Sequence, residues 1–283
     1  MARNSTSQAA GGRPPPLTKL YERAGLQAWP LPPVLADLYG GDLGFRPPCV
    51  YANFVSSIDG IVALEAGTAP SGGIISGRNE ADRFVMGLLR AFADVVLVGA
   101  GTVRAEGPRA LWTPEYIFPA ATDGFRALRH SLKREGEPRL VIVSARGELD
   151  PGHRALQVGA LVLTTTSSAA RLRSVLPSVT EVRAVSDTDP IDVYEILQLL
   201  EADGHHRILT EGGPRLFGQM VANDQVDELF LTVSPVLAGQ KGERSFGLVH
   251  GVEFGRAPKH DRLLSARRHG SHLFLRYRFE AAA

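Results

Sequence analysis

Ala93-Asp94-Val95-Val96-Leu97-Val98-Gly99-Ala100-Gly101-Thr102-Val103 decides how the chain reads. Val95–Val98 is apolar without alternation, as a strand buried on both faces requires. Gly99 ends that run, and Gly99-Ala100-Gly101 opens the next segment. Glycine lets backbone approach a ligand closely, and a helix starting there points free N–H groups at a phosphate or carboxamide. The same residues also suit a tight strand-to-helix turn with no ligand. The full G-x-G-x-x-G fingerprint is absent, because Arg104 stands where its third glycine belongs.

Outward from this stretch, short apolar runs alternate with longer amphipathic ones. Upstream, Val50–Val55 reads as a strand, and Asn79–Phe92 as a helix with Phe84, Leu88, Leu89 and Phe92 at helical spacing. Residues 107–137 read as a polar connection with a helix around 123–134. Strands are expected at Leu140–Val143, Leu161–Leu163, Thr180–Val185, Arg207–Thr210 and Leu229–Val233. Helices are expected at Ser167–Val175, at Ile191–Ala202 with Asp189 or a neighbour as cap, and from Pro214 through Met220. The last strand, Leu273–Phe279, sets Leu273, Leu275, Tyr277 and Phe279 on one face and His272, Arg276 and Arg278 on the other. This pattern predicts an α/β fold with a mostly parallel central sheet and an antiparallel C-terminal edge. Residues 1–46 read as a disordered tail and an irregular arm, and 47–283 as the main domain.

Composition narrows the function classes. The 283 residues carry 31 basic and 30 acidic side chains and are 44% hydrophobic. That balance lacks the basic footprint of a dedicated nucleic-acid binder. No apolar run is long enough for a membrane span, and the start has no apolar core of a secretory signal. The single cysteine, Cys49, cannot form an internal disulfide and reads as a buried small hydrophobe, which fits the cytoplasm. The eight histidines show no metal-binding spacing, so no metal site is expected, and His205-His206 read as structural.

Ligands of open α/β sheets bind beyond the carboxyl ends of the strands. Thr210-Glu211-Gly212-Gly213-Pro214 sits at such an end, with Pro214 at a first helical position. Its glycines suit an anion and Glu211 suits an amide edge of a pyrimidine ring; a plain left-handed turn with a surface Glu is the other reading. Thr164-Thr165-Thr166-Ser167 follows another strand. Its hydroxyls, with Arg171 nearby, suit a 2′-phosphate, or they cap the next helix.

Taken together these loops resemble the pyrimidine reductase family of riboflavin biosynthesis, the reductase half of bifunctional deaminase–reductases. The carriers are Asn53-Phe54-Val55-Ser56-Ser57-Ile58-Asp59-Gly60, residues 93–103, Thr210–Gly213, Asp227-Glu228-Leu229 and Ser234–Gly239. The resemblance spans about residues 48–279 and implies a dihydrofolate-reductase-like αβα sandwich, NADPH as cofactor and a homodimer. It implies hydride transfer to the ring-opened ribosylamine of a phosphorylated aminopyrimidine, a small-molecule substrate. By this resemblance Gly99, Gly101, Thr102 and Val103 lie at the nicotinamide and ribose, Thr164 and Thr165 near the adenosine end, and Gly212 and Gly213 at the pyrophosphate. It places Glu211 at the pyrimidine, Arg83 at the substrate phosphate, and Asn53, Ser56 and Asp59 on the substrate side; Glu211 and Asp59 are the candidate catalytic residues. Segment 227–239 is the expected subunit contact.

Two departures bear on the substrate. The family loop commonly continues Asp-Gly-Lys, whereas Ile61 follows Gly60 here. The family commonly continues Asp-Asp-Pro after its Gly-Thr-Val, whereas this chain has Arg104-Ala105-Glu106-Gly107-Pro108-Arg109. Glu106 stands in for one acid, and Arg104 or Arg109 supplies charge. A reductase of another pterin or pyrimidine, such as dihydrofolate, and a non-catalytic NADPH-binding protein are the alternative readings. The zinc deaminase motifs are absent, so the chain is not expected to deaminate.

Overall fold

Val95–Gly99 is a strand, and its side chains divide between two cores. Val96 and Val98 enter one cluster, and Val95 and Leu97 the other. Period-two alternation in an unbroken apolar run is what a sheet covered on both faces produces. The structure is a computed structural model describing residues 16–64, 71–239, 245–255 and 258–280. The expected tail lies largely outside the described residues.

In chain order come β1 (Thr18–Glu22), α1 (Pro33–Tyr39), β2 (Cys49–Ser56), β3 (Ile61–Leu64), α2 (Ser71–Ile75), α3 (Glu80–Phe92) and β4 (Val95–Gly99). Next are α4 (Ala100–Glu106), α5 (Pro114–Ile117), α6 (Thr122–Ser131), β5 (Arg139–Val143), α7 (Arg154–Gln157), β6 (Leu161–Thr165), α8 (Thr166–Val175) and β7 (Glu181–Ser186). The chain continues through α9 (Val193–Ala202), β8 (Arg207–Thr210), α10 (Pro214–Ala222), β9 (Glu228–Val233), β10 (Ser245–Gly247), β11 (Asp261–His269) and β12 (His272–Phe279).

The main sheet has the order β1-β11-β12-β9-β2-β8-β4-β5-β6-β7. From β9 to β7 neighbours run parallel, and β12, β11 and β1 close the other edge antiparallel. Helices α1, α3, α6 and α8 bury apolar residues on one face, and α9 and α10 on the other. This is the three-layer αβα sandwich with a mostly parallel sheet and antiparallel C-terminal edge that the sequence predicts. Asn79 caps α3 by accepting from Ala81 N and Asp82 N. Asp192 caps α9, accepting from Tyr194 N, while Asp189 instead pairs with Arg146.

Two expectations change. The arm is regular: α1 buries Leu35, Leu38 and Tyr39 in the first core, and β1 pairs with β11. The last strand packs Tyr277 and Phe279 against the second core as expected, but the face expected to be polar is buried too, with Phe274 and Arg276 inward. Glu228 explains the burial of Arg276. Its carboxylate accepts from Arg276 Nε at 2.7 Å and Arg278 Nη2 at 2.7 Å, and Arg276 also donates to Gly44 O at 2.8 Å. A buried guanidinium that is paired and hydrogen-bonded can occupy a core position.

Replacing Glu228 by Gln leaves Arg276 buried without a counter-charge. The expected loss is about 3 kcal/mol of unfolding free energy, read as a lower urea midpoint at unchanged slope.

Candidate functional site

The carboxyl ends of β2, β4, β5 and β8 open into one cleft of about 1220 Å³. Its centre is an ion pair. Glu211 follows β8, and its N–H donates to Leu97 O of β4 at 3.1 Å. Arg90, in the last turn of α3, grips the Glu211 carboxylate with two parallel bonds, Nε to Oε1 at 2.9 Å and Nη2 to Oε2 at 2.7 Å. Both side chains are buried, at 5% and 8% exposure, yet both line the cleft. Arg90 Nη1 also donates to the carbonyls of Leu111 and Thr113 at 3.4 Å. The carboxylate is thereby fixed in position, as a bidentate Arg–carboxylate pair dictates.

One wall is built for close backbone approach. Gly99 and Gly101 line the cleft, and a Cβ at either position would meet nothing within 4 Å, so the space before them is open. Thr102 and Gly212 also line it. Gly213 has φ +31°, a region side chains disfavour, and precedes the nine-residue helix α10, which no side chain caps. The first turn of that helix faces the cleft wall, where Arg215 is exposed. Val103 is buried in the core instead.

The far wall consists of Val143, Ala145 and Asp189–Ile191. Thr164 and Thr165, expected near the adenosine end, are buried within β6 and do not line the cleft. Their hydroxyls donate to Ser144 O at 2.7 Å and Ala145 O at 2.9 Å. Arg171 donates to Arg146 O at 2.7 Å. These groups shape the 144–147 turn that forms the wall rather than facing the cavity. The expected side-chain cap is absent too: Thr165 is at the N-cap of α8 but makes no capping bond.

The opposite wall carries Asn53, Phe54, Val55, Arg78, Arg83 and Glu106. Arg83 is exposed and donates from Nε to Ile117 O at 3.0 Å. Arg104 donates to Glu148 O at 2.9 Å at the rim. Ser56 is buried one residue beyond the lining segment. Asp59 departs further from expectation. It is fully exposed, lies outside the lining, and accepts from Ala238 N at 3.0 Å and Gly239 N at 2.6 Å. The Ser57 hydroxyl and these two N–H groups hold its pKa down at about 2. It tethers a loop and has no proton to give near neutrality. Ile61 is buried in an apolar cluster with Val55 and Ile75.

Sequence reading missed Arg90 and Asp82. Arg90 is the lone charge in Phe84–Phe92, an otherwise apolar stretch leading into a buried strand, and that isolation is its signal. Asp82 is 6% exposed and lines the cleft from the first turn of α3. Burial lifts its pKa to about 6, with Glu211 adding to the rise and the Thr232 hydroxyl opposing it. Burial by the surrounding wall also raises Glu106, against the pull of Arg90. Among the described residues, no group of acids, histidines or cysteine is arranged to hold a metal, and no helix is long and apolar enough to cross a membrane.

The sequence model of the family described as the RibD C-terminal domain matches residues 48–272. The chain belongs to the RibD C-terminal domain family. Relatives of this RibD-type domain include two proteins named 2,5-diamino-6-ribosylamino-4(3H)-pyrimidinone 5′-phosphate reductase. The one from Archaeoglobus fulgidus is 27% identical over 194 residues, covering 68% of this chain and 82% of its own. The one from Methanothermobacter thermautotrophicus is 27% identical over 208 residues, covering 73% of this chain and 86% of its own. In structure, a pyrimidine reductase-like protein from Corynebacterium diphtheriae superposes with TM-score 0.67 at 22% identity, over 83% of this chain and 93% of that one. The RibD domain begins after α1, so the arm lies outside it while packing on it.

A carboxyl whose pKa is raised on folding binds its proton more tightly in the native state. Stability is then lost as pH rises from the ordinary aspartate value near 4 through about 6. Asp82→Asn should remove that loss, on the order of 2 kcal/mol. Urea unfolding of both proteins at pH 4 and pH 7 measures it, and an equal fall in the two would disprove the assignment.

Proposed function

We propose that this RibD-type domain is an NADPH-dependent reductase that transfers a hydride to the ribosyl C1 of a phosphoribosylamino-pyrimidine intermediate of riboflavin biosynthesis. The observation that carries this reading is the Arg90–Glu211 pair facing the open glycine wall across one cleft. An orienting carboxylate and a wall suited to a dinucleotide are what the reaction needs from a protein. The names borne by the archaeal relatives support the substrate class.

The residues present fit the cofactor. The open space before Gly99 and Gly101 and the uncapped N-terminus of α10 after Gly212 and Gly213 suit its pyrophosphate and ribose, with Thr102 between the two loops. When bound, NADPH supplies the hydride. Glu211 accepts hydrogen bonds from the pyrimidine edge, and Arg90 keeps its carboxylate from turning away. Arg83 and Arg78, exposed on the substrate wall, draw the phosphate and supply the positive charge that Ile61 does not. Helix α3 thus holds both ends of the substrate, through Arg83 directly and through Arg90 by way of Glu211. The reading includes a cytoplasmic homodimer, with segment 227–239 at the subunit contact.

NADPH oxidation, followed by the near-ultraviolet absorbance of the reduced nicotinamide, tests the reading. It should proceed with the pyrimidine ribosylamine 5′-phosphate and not with dihydrofolate; turnover with dihydrofolate alone would refute the substrate. Glu211→Gln is expected to lower kcat about a hundredfold while leaving the NADPH Kd within a few-fold. Gly101→Ala is expected to do the reverse of a folding lesion. It should leave stability unchanged or up to about 1 kcal/mol higher, because alanine suits a helix better, while weakening NADPH binding at least about tenfold.

A further inference from the structure

Asp82 is a buried acid on the cleft wall that the orienting role of Glu211 leaves unused. It lies on the cleft-facing line of α3 that runs through Met86 to Arg90, at successive steps of four residues. Eight residues of helix separate its two ends by about 12 Å. Arg90 and Glu211 occupy one end, and Asp82 lies at the other, beside Arg83. In the proposed reading the pyrimidine lies at the first end and the phosphate at the second, so the sugar lies along this line.

Among the described residues no cation pairs with Asp82, although Arg78 and Arg83 line the same wall. Arg90 is committed to Glu211, and Arg83 turns its Nε to Ile117 O. Glu211, at the end of β8, repels it, and the Thr232 hydroxyl of β9 faces it. His272 of β12 reaches the same helix start by bonding Asn79, and Glu80 adds another acid there. A buried carboxyl without a counter-ion is easier to protonate than an exposed one.

We propose that Asp82 is the acid that opens the sugar ring. A ribosylamine cannot accept a hydride at C1′ while its ring is closed. The nitrogen lone pair forms the C1′=N bond as the C1′–O4′ bond breaks, and O4′ takes the proton from the Asp82 carboxyl. The resulting iminium accepts the hydride at C1′ and becomes the amine, with its N–H retained. Asp82, left as a carboxylate, regains its proton from solvent, so each turnover consumes one hydride and one proton. Its pKa of about 6 leaves a protonated fraction at neutral pH and makes reprotonation easy. This inference rests on the function proposed above.

The test needs no cofactor, because the ring-opened form also interconverts the two anomers of the substrate. NMR exchange measurements on the ribosylamine 5′-phosphate, with protein alone, should show wild type accelerating anomer exchange at least about tenfold over buffer, and Asp82→Asn abolishing the acceleration. With NADPH present, Asp82→Asn should lower kcat about a hundredfold and flatten a wild-type pH profile that falls as Asp82 ionises. Thr232→Val removes a hydroxyl that favours the ionised form, so its profile should fall at higher pH with Asp82 intact. This second variant keeps the idea testable if Asp82→Asn fails to fold. Wild-type exchange and pH profile in a folded Asp82→Asn, an unmoved profile in Thr232→Val, or loss of exchange in Glu106→Gln alone would overturn the proposal. Absence of both exchange and reduction in wild type would instead refute the functional reading beneath it.

Discussion

The buried pair between Arg90 and Glu211 is the constraint on which the cleft depends. Removing two charges from water is costly, and the attraction between them offsets that cost only when the geometry is held. Here the holding is done from both sides. Glu211 is registered by its backbone bond to Leu97, and Arg90 by a helix capped at Asn79 and packed through Phe84, Leu88 and Phe92. The pair in turn ties α3 to the end of β8, so a helix of the outer layer and the central strands cannot shift independently.

A second buried carboxylate does comparable work at the opposite end of the strands. Asp94 Oδ2 accepts from His206 N at 2.8 Å and Arg207 N at 3.0 Å, and Arg134 Nη2 lies 3.0 Å from the same oxygen. It joins the start of β4 to the start of β8, while Glu211 joins their ends. The two strands that frame the cleft are therefore joined at their starts by the Asp94 carboxylate and at their ends by the Glu211 backbone, and the apolar residues between them are left to fill the two cores.

How much of this was legible depended on whether a residue's partner lay near it in sequence. The parallel strands announced themselves through runs such as Val95–Val98, and the cleft through glycines at strand ends. Helix α3 was legible from its apolar spacing, and Asn79, where that reading starts, proves to be its cap, satisfying N–H groups two and three residues away. What failed was long-range. Arg276 looked like a solvent-facing residue because nothing nearby reveals that Glu228 lies opposite it. Thr164 and Thr165 looked like ligand-facing hydroxyls because the carbonyls they bind lie 20 residues back. β11 and β1 went unseen for the same reason. Both are polar to the eye, and both become strands by pairing at an edge. Arg90 was the intermediate case: its isolation among apolar residues was visible, but the identity of its partner was not.

The N-terminal arm has a consequence for how the molecule comes into being. Arg267 binds Tyr39 O at a separation of 228 residues, and Arg276 binds Gly44 O at a separation of 232. The apolar helix of the arm packs on α6, but its polar ties to the sheet form only once β11 and β12 have been made. Contacts this distant are slow to form and leave apolar surface open meanwhile. A segment made before the sheet thus completes its contacts after it, and the β11–β12 hairpin is what lets it.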